Sequence, residues 1–224
     1  MLEASAARRV SVSGLYALTP EIADTAALTE RVAAALAGGA SAVQYRNKTA
    51  SARVKLEQAL ALRELCADCG ATLIVNDDLE LAAAAGADGV HLGRDDASVA
   101  VARERLGPSA LIGASCYDSL ACAEAAIHAG ADHIAFGSFF VSKVKPHARR
   151  AQLSLLTAAR ARWSVGIIAI GGITPGNAGP LLAAGADALA VISALFDAPD
   201  VDGIAAAARD FAALFAWQRL NHPA

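Results

Sequence analysis

Acidic side chains follow two apolar segments of this chain. LIVNDD, at residues 73–78, runs from three apolar residues directly into an amide and two carboxylates, and HLGRDD ends in Asp95 and Asp96. Burying a carboxylate is costly unless a cation pairs with it. Mg2+ is commonly held by one or two carboxylates, with substrate phosphates completing its shell. Asp77, together with Asp95 or Asp96, is therefore a candidate magnesium site.

Basic and glycine-rich segments follow other apolar runs. VQYRNK contains Arg46 and Lys48, and FVSKVKP contains Lys145. Guanidinium and ammonium groups bind phosphate oxygens, and they would neutralise the negative phosphate charge that a bound metal leaves uncompensated. IGGI and VISA contain Gly172 and Ser193, and backbone N–H groups at such positions bind a phosphate. The residues thus predict a diphosphate site beside a metal and a glycine-lined monophosphate site.

One short phrase recurs and indicates which elements position these groups. It occurs as GGASAVQYR, AGADGVHLG, AGADHIAFG and AGADALAVI, beginning at Gly38, Ala85, Ala129 and Ala184. Each copy predicts a helix ending at Gly, a tight turn and a strand buried on both faces. Four more apolar segments, GLYAL, ATLIV, ALIGA and GIIAI, predict the intervening strands. Predicted helices between the strands include residues 26–37, 52–66, 120–129 and 153–161.

Eight alternating βα units in 224 residues favour an α/β fold of one domain, a (β/α)8 TIM barrel. An open Rossmann sheet would need a glycine fingerprint after the first strand, and YALTPEIAD has none. We expect an N-terminal extension at residues 1–13, the barrel at 14–219 and a C-terminal tail at 220–224. Catalytic groups of such barrels follow the C-terminal strand ends, so the acids and cations are expected on one rim.

Composition narrows the classes of partner. A net charge of -3 provides no basic field for nucleic acid, so we expect small-molecule substrates. The most apolar run, residues 181–196, is too short for a bilayer and contains Gly185 and Asp187. The four cysteines form no persuasive disulfide or zinc framework, although Cys66 and Cys69 make one C-x-x-C. We expect a cytoplasmic protein without membrane partners, and a homo-oligomer stays open.

Some of these residues also have simpler interpretations. Asp78 is equally well placed to cap the helix that begins DLELAAAA, and Asp95 or Asp96 is expected to cap the following helix. His91, within GVHLG, is expected to be a packed barrel residue rather than a base. His147 is a weaker candidate for a ligand contact.

Taken together, the motifs resemble the thiamine-phosphate synthase family. VQYRNK, IVNDD, GADGVHLGRDD, IGASCYD, IAFGSFFVSKVKP, IAIGGIT and ADALAVISALF occur in the family's order and spacing, from Gly14 to Phe196. The resemblance implies a transferase that joins hydroxymethylpyrimidine diphosphate to a thiazole phosphate and releases pyrophosphate. It implies one Mg2+ per subunit and a dissociative mechanism, in which the aminopyrimidine supports a benzyl-type cation and no protein nucleophile is needed.

The resemblance also assigns roles residue by residue. Gln44, Arg46 and Lys48 match the segment that holds the pyrimidine diphosphate, Asn76 a pyrimidine or diphosphate contact, Asp77 and Asp96 the magnesium ligands, and Ser115 a diphosphate contact. Lys145 matches the lysine near the leaving diphosphate, and Gly172, Ile192 and Ser193 match contacts to the thiazole phosphate. Arg46, Lys48 and Lys145 are thus the expected catalytic cations.

The loop after the sixth strand departs from the family pattern. The family commonly has Thr-x-Thr-Lys-Pro, and this chain has Ser142, Lys143, Val144, Lys145 and Pro146. Ser142 therefore remains as a predicted substrate contact, while one hydroxyl is missing and one cation is added. His147 follows, where an acidic or small residue is frequent.

Two alternative functions fit these residues less well than the synthase does. A thiazole tautomerase of the related barrel family needs no metal, and an isomerase has no diphosphate that Asp77 and Asp96 would help to neutralise. A non-catalytic phosphate-binding barrel would not need Arg46, Lys48 and Lys145 around a pair of metal-binding acids. The acids and cations therefore favour the synthase.

Overall fold

The computed structural model describes residues 12–141 and 149–221, which form a single closed barrel. The strands are β1 (Gly14–Leu18), β2 (Ala40–Tyr45), β3 (Thr72–Asn76), β4 (Gly89–Leu92), β5 (Leu111–Tyr117), β6 (His133–Gly137), β7 (Gly166–Ile170) and β8 (Ala188–Val191). The helices are α1 (Thr25–Ala37), α2 (Ala52–Asp68), α3 (Leu79–Ala85), α4 (Val99–Leu106), α5 (Leu120–His128), α6 (Leu153–Arg160), α7 (Pro175–Ala183), α8 (Ser193–Phe196) and α9 (Val201–Asn221). The strands are parallel in chain order, and β8 pairs with β1. The predicted (β/α)8 barrel is confirmed.

Alternating residues of each strand fill two separate cores. In β1, Tyr16 and Leu18 belong to the cluster inside the barrel, whereas Leu15 and Ala17 belong to the cluster between strands and helices. A parallel sheet covered by helices buries both of its faces, so its strands are continuous apolar runs rather than alternating ones. This explains why short segments such as GLYAL and GIIAI carry a reliable strand signal.

Helix N-caps test two sequence expectations. Asp78 caps α3, because its carboxylate accepts a hydrogen bond from the Leu81 backbone N–H at 2.9 Å, which confirms the predicted cap. The expectation that Asp95 or Asp96 caps the next helix was wrong. Ser98 caps α4 through the Val101 backbone N–H, and the Asp96 carboxylate instead accepts from the Gly93 backbone N–H at 2.6 Å. Asp96 is therefore not used by the helix.

The repeated Gly-Ala-Asp phrase forms a clamp at the N-terminal ends of the strands. In three copies the aspartate carboxylate accepts, at 2.8 Å, a backbone N–H of the preceding strand and pairs with an arginine of a preceding helix. The sets of aspartate, N–H donor and arginine are Asp88, Leu73 and Arg63; Asp132, Ile112 and Arg103; and Asp187, Ile167 and Arg160. In the fourth copy Ser41 stands in the aspartate position, and its hydroxyl donates to the backbone carbonyl of Ser13.

The Asp132 clamp is the most buried of the three, because the side chains of Asp132 and Arg103 are only 8% and 20% exposed. The Arg103 guanidinium also donates to the carbonyls of Ala110, at 2.6 Å, and Gly130, at 3.1 Å. One arginine therefore ties the start of β5, the turn before β6 and the aspartate into one unit. Charged hydrogen bonds of this kind are stronger than neutral ones when their partners are satisfied.

The described ranges contain no helix long and apolar enough to cross a membrane. The thiols of Cys66 and Cys69 are free, and burial raises the pKa of Cys66 to about 12, so that thiol stays protonated at neutral pH.

α9 ends at Asn221, two residues beyond the boundary that the sequence predicted for the barrel. The domain boundaries stay a prediction, because residues 1–11 and 222–224 are outside the described ranges.

We expect Asp132→Ala to lower the free energy of unfolding by about 2 to 4 kcal/mol, because the Ile112 N–H loses its acceptor and Arg103 loses its counter-ion. Asp132→Asn, which keeps an acceptor oxygen, should cost less. The control is Glu104→Ala, an exposed position on the same helix as Arg103, expected to change stability by less than about 0.5 kcal/mol. Urea denaturation measures all three variants, and equal effects of Asp132→Ala and Glu104→Ala would contradict the clamp.

Candidate functional site

A cavity of about 560 Å3 opens at the C-terminal ends of the strands. Its volume is within the range of small-molecule sites. The predicted substrate and catalytic residues that line it are Gln44, Arg46, Asn76, Ser115, Gly172, Ile192 and Ser193. Ser142 and Lys145, together with His147, lie outside the described residues. Within the described ranges, this one cavity thus brings together groups expected for the pyrimidine side and for the thiazole side, whereas Lys48 lines a smaller neighbouring cavity.

Two acids from neighbouring strand ends meet beside this cavity. The carboxylates of Asp77 and Asp96 lie close enough to interact electrostatically, and the Lys48 ammonium lies 3.5 Å from Asp77 Oδ2. Burial first, and then the proximity of Asp96, raise the pKa of Asp77, while Lys48 opposes that rise. Asp95 is exposed. Of the two acids left open by residue chemistry alone, Asp96 is the one that the structure places against Asp77.

The backbone at Asp77 directs its carboxylate toward Asp96. Its φ is +63°, in the left-handed region that Asp and Asn tolerate better than most residues with a side chain. The Asp77 N–H donates to the His91 carbonyl at 2.8 Å, which continues the β3–β4 pairing one residue past the strand. The turn that presents the acid is therefore held by the sheet.

The donor set at Asp77 and Asp96 fits a magnesium ion. Two carboxylates forced together need a cation, and oxygen ligands suit Mg2+. A smaller cavity of about 320 Å3, lined by Lys48, Asp77 and Asn76 among others, adjoins them, and Asn76 also lines the main cavity. No cluster of three or more metal-ligating side chains occurs in the described part of the chain. Substrate phosphate oxygens would complete the shell of an ion bound there.

Arg46 is held at the rim by the loop after β1. Thr19 Oγ accepts a hydrogen bond from the Arg46 backbone N–H at 2.9 Å and donates to the Arg46 carbonyl at 3.2 Å. The Glu21 carboxylate accepts from the Arg46 guanidinium at 2.9 Å. Sequence reasoning missed both partners, although Thr19 and Glu21 follow the first strand, where a search of all strand ends would have found them.

The floor of the cavity contains a phenol that the sequence analysis also missed. Gln44 Nε2 donates to the Tyr16 hydroxyl at 2.8 Å. Tyr16 is 1% exposed, and burial raises its pKa far above the ordinary value, so it stays neutral. The bond orients the Gln44 amide, because its nitrogen is used by Tyr16 and its carbonyl oxygen is left to accept from a ligand.

The opposite side of the cavity is made of backbone. Gly171 and Gly172 follow β7 with φ of +103° and +63°, and a Cβ at Gly172 would lie 2.3 Å from the Val141 carbonyl oxygen. Only glycine fits this close approach. At the end of the neighbouring strand β8, Ser193 begins α8, and the Arg31 guanidinium donates to the carbonyls of Phe196, the last residue of that helix, and of Ala198. Arg31 therefore anchors the end of α8.

Three further features line the cavity, two of them at the end of β5 and one on β4. Tyr117 has a positive φ of 55° and lines the cavity, with the Arg94 guanidinium 4.8 Å from its ring centroid. Asp118 pairs with Arg149 at 3.0 Å, and both line the cavity. His91, expected as a packed barrel residue, is buried but also reaches the cavity. Spacing alone does not reveal these contacts, because they join different strands.

The fold and the site together define a class of protein, a (β/α)8 barrel whose C-terminal rim combines paired carboxylates, cations and a glycine-lined turn. Such a rim is suited to substrates that carry phosphate groups. Comparison with known proteins agrees with this class. The family model for thiamine monophosphate synthase matches residues 15–195.

Individual relatives and a solved structure give the same result. The thiamine-phosphate synthase of Thiobacillus denitrificans is 57% identical over 198 residues, covering 88% of this chain and 94% of the relative. That of Chromobacterium violaceum is 56% identical over 204 residues, covering 91% and 97%. The structure of thiamine phosphate pyrophosphorylase from Pyrococcus furiosus is 35% identical, with a TM-score of 0.81, covering 92% of this chain and 97% of that one.

The chain therefore belongs to the thiamine monophosphate synthase family, and it is an enzyme of the transferase class. The resemblance found in the sequence motifs is confirmed. Neither the tautomerase nor the non-catalytic barrel is favoured by the comparisons.

We expect Gly172→Ala to lower the free energy of unfolding by about 1 kcal/mol or more, because an L side chain at φ +63° is strained and its Cβ would press on the Val141 carbonyl. Gly176→Ala is the control. Gly176 lies in the first turn of α7 with ordinary helical φ, and a Cβ there would meet only Thr174 Oγ, at 3.9 Å. Chemical denaturation should show no loss for Gly176→Ala; equal losses would contradict a special role for the turn.

Proposed function

We propose that this chain condenses 4-amino-2-methyl-5-hydroxymethylpyrimidine diphosphate with a thiazole phosphate, giving thiamine phosphate and pyrophosphate. The observation that carries the proposal is the convergence of Asp77, Asp96 and Lys48, which lies 3.5 Å from Asp77, beside one edge of a cavity whose other edge is the Gly172 turn. A diphosphate needs concentrated positive charge, and a monophosphate ester needs N–H donors. The two edges offer one of each.

The diphosphate end is assigned to the acidic and basic side chains. Asp77 and Asp96 would hold one Mg2+ per subunit, which when bound withdraws negative charge from the diphosphate and improves it as a leaving group. Arg46 and Lys48 stabilise the charge that develops on the departing diphosphate, and Lys145 is assigned the same role from its motif. Within the protein, Arg46 pairs with Glu21 and Lys48 pairs with Asp77.

The pyrimidine ring is assigned to the floor of the cavity. Because Gln44 Nε2 donates to Tyr16, the Gln44 carbonyl oxygen is available to accept from the exocyclic amine of the pyrimidine. Asn76 lines both cavities, so it can contact the ring and the diphosphate together. Ser115 is assigned a hydrogen bond to a diphosphate oxygen.

The apolar wall suits a dissociative reaction. Leaving of the diphosphate breaks the C–O bond and leaves a cation on the pyrimidine methylene carbon, which the thiazole nitrogen then attacks. Water would capture the same cation and waste the substrate. Ala135, Ile168, Ile170 and Ala190 line the cavity with apolar atoms, which reduces the water that can reach the methylene carbon. Correct positioning of the nitrogen supplies the remaining acceleration.

The thiazole phosphate is assigned to the edge made by the strand ends of β7 and β8. Gly172 and Ile192 contribute backbone, and Ser193 contributes backbone and hydroxyl. N–H groups at the first positions of a helix have no partner within that helix and can bind phosphate oxygens. Ser142 is the remaining predicted hydroxyl contact.

Mixing purified protein with both phosphorylated halves, with and without Mg2+, tests the proposal by mass detection of thiamine phosphate. We expect product that depends on Mg2+. Absence of product under both conditions would contradict the synthase function. Metal-independent conversion of a thiazole tautomer alone would favour the tautomerase instead.

A second prediction separates the neighbouring acids. Asp77→Asn keeps a residue that tolerates φ +63° but removes the charge, so kcat/KM should fall about 100-fold or more. Asp78→Ala removes only the α3 cap, so unfolding free energy should fall by about 1 kcal/mol with kcat/KM nearly unchanged. Steady-state kinetics, urea denaturation and calorimetric titration with Mg2+ measure these effects. Equal losses of activity would mean that the two roles are wrongly divided.

A further inference from the structure

A buried histidine at the bottom of the cavity contacts Ser115, a residue that is proposed to bind the diphosphate. His91 Nε2, on β4, lies 3.0 Å from Ser115 Oγ, on β5, and both residues line the cavity. His91 is 7% exposed, so its ring is enclosed by the barrel and its reach toward solvent is small. The bond joins two adjacent strands directly below the rim.

The barrel interior is shaped around this ring. His133, which is completely buried on β6, stacks against His91 with 5.7 Å between ring centroids and 24° between ring planes. Gly113 of β5 leaves the space that both rings occupy, because a Cβ there would lie 2.0 Å from His133 Nε2 and 2.5 Å from His91 Nδ1. The His91 ring is thus fixed by stacking on His133 and by the space that Gly113 leaves for it.

The surroundings decide which nitrogen of His91 carries the proton. Both rings are buried inside the barrel, and burial favours the uncharged imidazole, so each ring has one N–H near pH 7. Among the described residues His91 Nδ1 has no hydrogen-bond partner, so an N–H on Nδ1 would be a buried donor without an acceptor. An N–H on Nε2 is satisfied by Ser115 Oγ.

The direction of this bond matters for an anionic ligand. Phosphate oxygens near neutral pH mainly accept hydrogen bonds, so Ser115 can bind one only by donating its hydroxyl proton. If His91 accepted that proton, it would compete with the ligand. If His91 donates through Nε2, the Ser115 oxygen is satisfied as an acceptor and its proton is free for the cavity.

We propose that His91 is a positioning residue that donates from Nε2 to Ser115 Oγ and thereby directs the Ser115 hydroxyl proton toward the diphosphate of the substrate. The inference rests on the proposed function, in which Ser115 contacts that diphosphate. It assigns His91 an action through Ser115, without contact to the reacting atoms, and it explains the space that Gly113 leaves for the ring.

Three substitutions of His91 test the assignment. Glutamine places an amide N–H2 near the position of Nε2, asparagine is too short to reach Ser115, and leucine offers no donor. We expect His91→Leu and His91→Asn to lower kcat/KM for the pyrimidine diphosphate about tenfold, the scale of one charge-assisted hydrogen bond. KM for the thiazole phosphate should stay nearly unchanged, and His91→Gln should restore most of the activity.

The double variant distinguishes positioning from direct contact. In a Ser115→Ala background, His91→Leu should cost nothing further if His91 acts through Ser115. Independent, multiplying losses in the double variant would overturn the inference, as would equal activity of the glutamine and asparagine variants. If His91→Leu does not fold, the comparison of glutamine with asparagine carries the test, with urea denaturation as the check on folding.

A spectroscopic signature is independent of turnover. The 15N chemical shifts of the His91 ring in labelled protein should identify Nε2 as the protonated nitrogen, and protonated Nδ1 would overturn the inference. Wild-type protein that forms no thiamine phosphate would refute the proposed function and this inference together. Active wild-type protein with unaffected His91→Leu would refute the inference alone.

Discussion

The Asp88 carboxylate aligns β3 with β4, and the meeting of Asp77 with Asp96 at the rim depends on that alignment. It accepts the Leu73 N–H at 2.8 Å at the start of β3 and pairs with Arg63 at 3.5 Å. From there the register places Asn76 opposite His91. A slip of one residue would turn every side chain of a strand to the opposite face. The clamp at one end of the barrel therefore determines which groups meet at the other end.

The same device recurs at Asp132 and Asp187, whereas the residues at the rim differ from strand to strand. The N-terminal ends of the strands are thus a repeated scaffold, and the C-terminal ends are free to vary. This division of labour is general for (β/α)8 barrels, in which the C-terminal face carries chemistry and the N-terminal face carries stability. The chain is an example in which one short phrase supplies most of the scaffold.

At the rim, the basic side chains pair with acidic side chains of the protein. Glu21 accepts from Arg46, and Asp77 lies beside Lys48, so each cation already has an anionic partner. A bound diphosphate and its metal would replace these pairings rather than meet bare charges. Beneath them the interior is kept neutral, because burial favours the uncharged forms of Tyr16 and His91. The charged groups of the site therefore lie at the rim, above an interior of neutral side chains.

Much of the fold and part of the site follow from local sequence. The strands, the helix ends, the Asp78 cap and the family motifs depend on residues close in sequence, such as glycines at left-handed positions and apolar runs buried on both faces. Polar residues that follow the strands of such a barrel meet on one rim, and this rule predicts from the sequence alone that Asp77 and Arg46 lie near each other. Those features were predictable because each is a property of one segment or of the fold class.

Contacts between segments were decided only by the tertiary structure. LIVNDD and HLGRDD leave two acids as partners for Asp77, and the turn held by the Gly93 N–H is what orients Asp96 inward while Asp95 remains exposed. The bond between His91 and Ser115 likewise joins β4 to β5. Sequence spacing determines which face of its own strand a side chain occupies. Barrel closure and strand register determine what it touches, because those depend on all eight strands at once.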